Sequence, residues 1–217
     1  MAAGILVLLP DVGKEPRGAR GPAPSLGTVV RDHRSVLTTL GLGALMVMAV
    51  RQARQSVLPL WCDHIGLSPA QASLIFGLSG AVDMLLFYPA GSVMDRFGPA
   101  SIGIPSMLVL AGSHAVLPLA TTVPWVIAVA VLMGIGNGLG AGLVLTMGAN
   151  AAPREGRQAF LAVWRLVSDL GNASGPLVVS AVAAVASLAT ASVTMGGAGL
   201  LAAAVLWRWA PRGAPDA

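Results

Sequence analysis

The chain has 217 residues, of which 55% are hydrophobic and only 10% charged, with a formal net charge of +4 and a mean hydropathy of +0.78. A water-soluble domain keeps about 25% charged residues, so a soluble fold is excluded and lipid must solvate much of the surface. The single cysteine, Cys62, excludes an internal disulfide, and a CxxC or Cys/His zinc pattern is absent from the sequence.

From the N-terminus, Met1 to Leu9 is apolar but too short to cross a bilayer. It lacks the basic start of a signal peptide and reads as the last turns of a helix whose beginning is missing. Residues 11–34 are polar and rich in Pro and Gly, and they carry Lys14, Arg17, Arg20, Arg31 and Arg34. That composition predicts a flexible basic linker, so 1–34 form a lead-in and 35–209 a membrane bundle, with 210–217 as a tail. Six spans follow, at Ser35–Leu60, Pro69–Val93, Ser101–Ala120, Val123–Met147, Ala159–Val182 and Ser187–Trp209. Each has about the 20 residues that a crossing requires. The expected fold is all-α and polytopic.

The first span carries Arg51 and Arg54 beside Gln52 and Gln55, with Arg51 and Gln55 on one face. Arg51 lies roughly 24 Å above Ser35, which places these arginines in the outer third, as a positive patch toward a water-filled cavity or as side chains snorkelling to headgroups. In the second span Asp83 lies roughly 18 Å from the edge at Asp95. In the fifth, Asp169 lies roughly 15 Å in, one turn after Arg165, its candidate intrahelical partner. Both carboxylates therefore fall near the midplane, where each must be paired with a cation or protonated, and either state suits a proton-coupled cycle. The fourth span holds Asn137 among glycines: Gly134, Gly138 and Gly142 repeat every four residues as a small-residue packing stripe. The fifth combines Gly171 and Gly175 with Pro176, which predicts close packing and a kink. His114, alone in the third span, reads as a neutral, satisfied core histidine; His33 and His64 have no metal partner in view.

Between the second and third spans runs a charged turn, Gly91 to Gly98 (GSVMDRFG), with Asp95 placed to accept from helix N-terminal amides and Arg96 to pair with phosphate or a carboxylate. Gly91 allows a close helix approach and Gly98 a reversal. Gly91, Asp95, Arg96 and Gly98 resemble the G-x-x-x-D-R-x-G signature of the major facilitator superfamily. Pro99-Ala100 follow where first-half copies carry basic residues, which suits the second-half copy. Two further stretches resemble that family: Gly171 to Pro176, as in its fifth and eleventh helices, and Asn150 to Arg157, as in the loop between helices ten and eleven, with Asn150 where many members have Asp. The resemblance implies the C-terminal six-helix half of a twelve-helix transporter. It also implies a conformational-switch role for the 91–98 loop and a lipid-facing periphery for the third and sixth spans. Met1–Leu9 would then be the end of the sixth helix. A fragment or misassigned start is favoured over a half-transporter needing another half and over a homodimer.

Charge counting sets the topology. Ten of the thirteen Lys and Arg fall on one side, in the linker, at Arg96, Arg154 and Arg157, and at Arg208 and Arg212; the opposite loops have none. Both termini are therefore expected in the cytoplasm, in a cell (inner or plasma) membrane, and the basic pI needs no nucleic-acid partner. Trp61, Trp125, Trp207 and Trp209 lie near span ends, where indoles sit at headgroup level. HExxH, GxSxG and GKS/T signatures are absent, and Gly134-Ile-Gly136-Asn-Gly138 lies inside a span rather than after a strand, so neither an enzyme nor a cofactor or metal site is expected. The expected function is alternating-access transport of a small molecule, as symport or antiport coupled to protons. The alternative is a non-transporting membrane scaffold or partner subunit. The three in-span arginines against two aspartates favour an anionic or polar ligand.

Overall fold

The computed structural model describes residues 26–210, which are helical apart from turns; no strand occurs among them. The lead-in to Ser25, with Lys14, Arg17 and Arg20, and the tail from Pro211 lie outside the described residues. A short helix α1 (Leu26–Asp32) packs on the fifth span, so the end of the expected linker is helical. Helix α2 (Arg34–Val36) runs through a π turn (Leu37–Gly41) into α3 (Leu42–His64), a continuous first span of 31 residues. Then come α4 (Pro69–Phe97), α5 (Pro99–Val116), α6 (Val123–Leu139), α7 (Leu143–Ala151), α8 (Arg157–Val185) and α9 (Leu188–Trp209). Six spans, with α6 and α7 forming one of them, are long and apolar enough to cross a membrane. The chain is an all-α, six-span half bundle.

Glycines decide which helices meet. A Cβ on Gly171 or Gly175 of α8 would strike the carbonyls of Leu45 and Ala49 on α3. A Cβ on Gly134 or Gly138 of α6 would strike those of Ser79 and Asp83 on α4. On the other side of α6, Gly136 faces Leu110 of α5, and Gly196 and Gly199 of α9 face Ala111 of α5. Close backbone approach of this kind is how helices associate where lipid removes the hydrophobic drive. Within this chain the third span, α5, sits between α6 and α9 and is among the most buried, whereas α4 and α8 are the least buried. Pro176 and Pro89 lie inside their helices without ending them.

Two features differ from the hydropathy reading. First, 91–98 is not a loop. Gly91, Asp95 and Arg96 lie in the last turns of α4, and only Gly98 separates α4 from α5. A Cβ on Gly91 would meet nothing within 4 Å, so it makes no close approach inside this chain. Asp95 accepts no side-chain hydrogen bond among the described residues, and Arg96 stacks on its neighbour Phe97 with 5.3 Å to the ring centroid. Helix hydrogen bonding does not stop where charge begins; Gly98, at φ 83° and ψ 166°, followed by Pro99, is what stops it. That conformation is essentially glycine-only. Gly98→Ala should therefore lower stability by about 1–3 kcal/mol in thermal unfolding of the detergent-solubilised chain.

Second, the fourth span is broken. Gly142 adopts φ 76° and the helix restarts at Leu143, so Gly142 is a hinge rather than the third step of the stripe formed by Gly134 and Gly138. The sixth span starts where expected, although Val182 to Thr190 contains no Gly, Pro or charge: Ser187 caps α9, its hydroxyl accepting from Thr190 N at 3.0 Å. Trp61 also departs from expectation: it is buried and its Nε1 donates to the Ala120 carbonyl at 2.9 Å, tying α3 to the end of the third span, whereas Trp125, Trp207 and Trp209 are exposed.

Candidate functional site

Arg51 and Arg54 lie on α3, Asp83 on α4 and Asn137 on α6, each near the middle of its span. They meet there. Arg54 Nη2 donates to Asp83 Oδ2 at 3.4 Å, and Arg54 Nη1 to Ser79 Oγ at 2.7 Å. Ser79 donates its own O–H to the Ala130 carbonyl at 2.6 Å. Asp83 Oδ2 also accepts from Asn137 Nδ2 at 2.5 Å. Asn137 Oδ1 in turn accepts from Arg51 Nε at 2.9 Å, and Arg51 Nη1 donates to the Gly140 carbonyl at 2.5 Å. One strap of hydrogen bonds therefore joins three helices and ends on the unwound turn between α6 and α7.

The local reasons are in the sequence. Arg51 and Arg54 are three residues apart and so emerge side by side; Ser79 and Asp83 are four apart and share a face of α4. Gly134 and Gly138 bring α6 so close to α4 that the short side chains of Ser79 and Asp83 reach it. At the turn Gly140–Gly142 the Gly140 carbonyl accepts from Leu143 N at 3.2 Å, outside the regular α-helical pattern, and takes the Arg51 guanidinium as a second donor. Arg54 is 4% exposed and lies over the Phe76 ring, 5.6 Å to its centroid, while Asp83 is 23% exposed. The carboxylate is thus less enclosed by this chain than its main partner.

This corrects the sequence estimate of depth. Arg51 and Arg54 are not in the outer third, because the first span continues to His64; they sit level with Asp83 and are held by it and by Asn137. Gln55 is exposed and takes no part. Ser79, the Gly140 carbonyl and the helix break were missed. Ser79 was detectable as the hydroxyl one turn before Asp83, and the break as a Gly-Ala-Gly run.

Next to the strap is a cleft of about 420 Å³. Met48 and Arg51 of α3 form one wall, Gly142 and Leu145 the second, and Trp164, Arg165, Asp169 and Asn172 of α8 the third. Trp164 fixes the α7 side by donating Nε1 to the Val144 carbonyl at 2.9 Å. Arg165 Nε donates to both oxygens of Asp169 at 3.1 Å, so the expected intrahelical pair forms, on the rim and largely exposed. Asp83 and Asp169 therefore do not share one site: Asp83 belongs to the strap and Asp169 to the cleft wall. Arg51 belongs to both.

His114 is fully buried, with its ring against the Val50 backbone of α3 and without a side-chain partner. Arg54 Nε is buried and unpartnered. His33 stacks edge-on against Phe160 at 5.4 Å and His64 packs on Trp61 at 5.1 Å. Among the described residues no group of three or more His, Cys, Asp and Glu is placed to hold a metal.

Comparison with known families finds that residues 40–217 are similar to the Major Facilitator Superfamily. No curated protein matches the chain.

Proposed function

The chain belongs to the major facilitator superfamily, a family of membrane transporters rather than enzymes, and from that premise we propose that it is the C-terminal six-helix half of a secondary active transporter. In this reading the half moves a small molecule by alternating access, coupled to protons by symport or antiport. The observation that carries it is the mid-depth strap from Asp83 through Asn137 and Arg51 to the broken span, beside a cleft that the same Arg51 lines. Ionisable groups at this depth are expensive and mark polar pathways. Ligand sites in transporters lie near the midplane, against interrupted helices.

Asp83 is the proposed coupling carboxylate. Deprotonated, it holds α4 to α3 and α6 through Arg54 and Asn137. Protonation removes the charge that both donors meet and frees the three helices to shift. Asp169 is a second proton-accepting candidate; its protonation would release Arg165 toward the cleft. Gly91, Asp95, Arg96 and Gly98, at the α4–α5 corner, would act as the switch between states. The second wall of the substrate path would come from another six-helix half or a second copy of this chain, seated against α4 and α8, the least buried spans. Both termini, with the basic ends of the spans, would face the cytoplasm at a cell membrane.

The test is flux in proteoliposomes, with the chain alone and with a six-helix partner half, under an imposed pH gradient. Gradient-driven uptake or efflux that Asp83→Asn or Asp169→Asn abolishes is the expected result. Transport that both variants leave unchanged rejects proton coupling, and no flux in either assembly favours the scaffold or partner-subunit reading.

A further inference from the structure

The site has an unbalanced charge. Arg54 is met by Asp83 and Arg165 by Asp169. Arg51 forms no ion pair among the described residues. Its Nε and Nη1 are held by neutral acceptors, the Asn137 amide oxygen and the Gly140 carbonyl, and its Nη2 makes no hydrogen bond among the described residues. Three guanidiniums against two carboxylates leave one positive charge at mid-depth. Asp83, the carboxylate whose charge reaches Arg51, is already paired with Arg54, so two guanidiniums share one counter-charge and Arg51 is under-compensated in the spanning region. The missing partner is an anion.

The rest of the cleft says what kind. Met48, Leu145, Leu161 and Trp164 line it with apolar surface, and its volume of about 420 Å³ falls within the range of small-molecule sites. Asp169 is charge-paired with Arg165, whose single Nε–H is shared by both carboxylate oxygens, so this pair adds no net charge to the cleft wall. A guanidinium with two unspent N–H groups on one nitrogen suits an oxyanion better than a neutral carbonyl.

We propose that the cleft binds a small organic anion with an apolar body, its carboxylate or similar oxyanion seated on Nη2 of Arg51 and its body against Leu145, Leu161 and Trp164. This rests on the transporter reading in one respect only, that the cleft is where the transported molecule sits. The competing source of negative charge is a carboxylate contributed by a second six-helix unit, and in that case the acid-over-amide preference of the isolated chain is lost once a partner half is co-assembled.

The experiment is equilibrium binding to the purified 217-residue chain in lipid nanodiscs, using near-isosteric probes: benzoate, benzamide and benzylamine, with phenylacetate and hexanoate as further carboxylates. The carboxylates should bind saturably, at least one of them tenfold or more tighter than benzamide, with benzylamine weakest. Arg51→Gln should erase the preference for acid over amide while leaving benzamide binding in place. Arg51→Lys, which keeps the charge but loses the planar fork, should retain part of it. A merely structural loss would weaken acid and amide alike, so the ratio is the decisive reading. The proposal is overturned if acid and amide bind equally, if the amine is preferred, if no carboxylate binds saturably, or if Arg51→Gln leaves the ratio unchanged. Flux separates it from the transporter reading. Transport of the amine but not the acid keeps transport and removes the anion site; anion binding with no flux does the reverse.

Discussion

Asp83→Asn is expected to abolish transport and to destabilise the purified chain by about 3 kcal/mol, read as a lowered thermal midpoint in detergent. The side chain keeps its shape but loses its charge. Two donors, Arg54 Nη2 and Asn137 Nδ2, converge on one oxygen of Asp83; an amide oxygen in that place can still accept from both, so what is lost is the negative charge that meets the Arg54 guanidinium. Arg54 bears most of the loss, because it is 4% exposed and is left with neutral partners only, Ser79 and the Phe76 ring among them. Removing one member of a buried pair typically costs about 3–5 kcal/mol, and the 23% exposure of Asp83 argues for the lower figure. The double variant Arg54→Met with Asp83→Leu should regain most of the lost stability, since replacing both ions by apolar groups of similar volume is often neutral or better. It should not regain transport. That divergence separates a fold-holding pair from one needed for the cycle. A double variant that transports normally would remove the strap from the mechanism, and Asp83→Asn as stable as the parent would show that the pair contributes nothing to the fold.

The parts of this molecule that were legible in its sequence are those set by composition along one helix. Six apolar runs gave six spans, because a span must satisfy its backbone internally and present apolar side chains over a fixed length. The Arg165–Asp169 pair was legible for the same reason, being one turn apart on α8. Asp83, Asn137, Arg51 and Arg54 were each identifiable as costly residues at depth, but not as partners. Arg54 and Asp83 are 29 residues apart, and Arg51 and Asn137 are 86. Nothing local encodes which faces of α3, α4 and α6 turn toward one another. The glycines encode it only in three dimensions, by where a Cβ would collide. Hydropathy also ended α4 too early, at its first charges, although the backbone stop is Gly98-Pro99. It carried the fourth span straight through Gly142, because a broken helix is as apolar as a whole one. Trp61 went inward rather than to the headgroups because the Ala120 carbonyl was there to take its N–H.

Gly175→Ala should destabilise the chain by about 3 kcal/mol, whereas Gly80→Ala should leave it unchanged or stabilise it by up to about 1 kcal/mol. The chemical change is the same single methyl group, so only the surroundings differ. At Gly175 the new Cβ would run into the Ala49 carbonyl and lie 3.0 Å from Ala53 N, both backbone atoms of α3 that no rotamer change can move. Helices α3 and α8 would have to part. Arg51 and Met48 on α3 and Trp164 and Asn172 on α8 form opposite walls of the cleft, so separation should also weaken ligand binding there. At Gly80 nothing lies within 4 Å, and alanine gains helix propensity without a clash. Thermal unfolding of the two variants side by side tests whether α8 is seated on α3 as closely as described; equal midpoints would deny it. Gly80 also reports on the proposed second half. It lies on α4 with Gly77, which is equally open, on one of the two least buried spans. If Gly80→Ala is harmless in the isolated chain but destabilises its assembly with a six-helix partner, α4 lies at the seam between halves. If it is harmless in both, the partner sits elsewhere, and α8 is the next span to test.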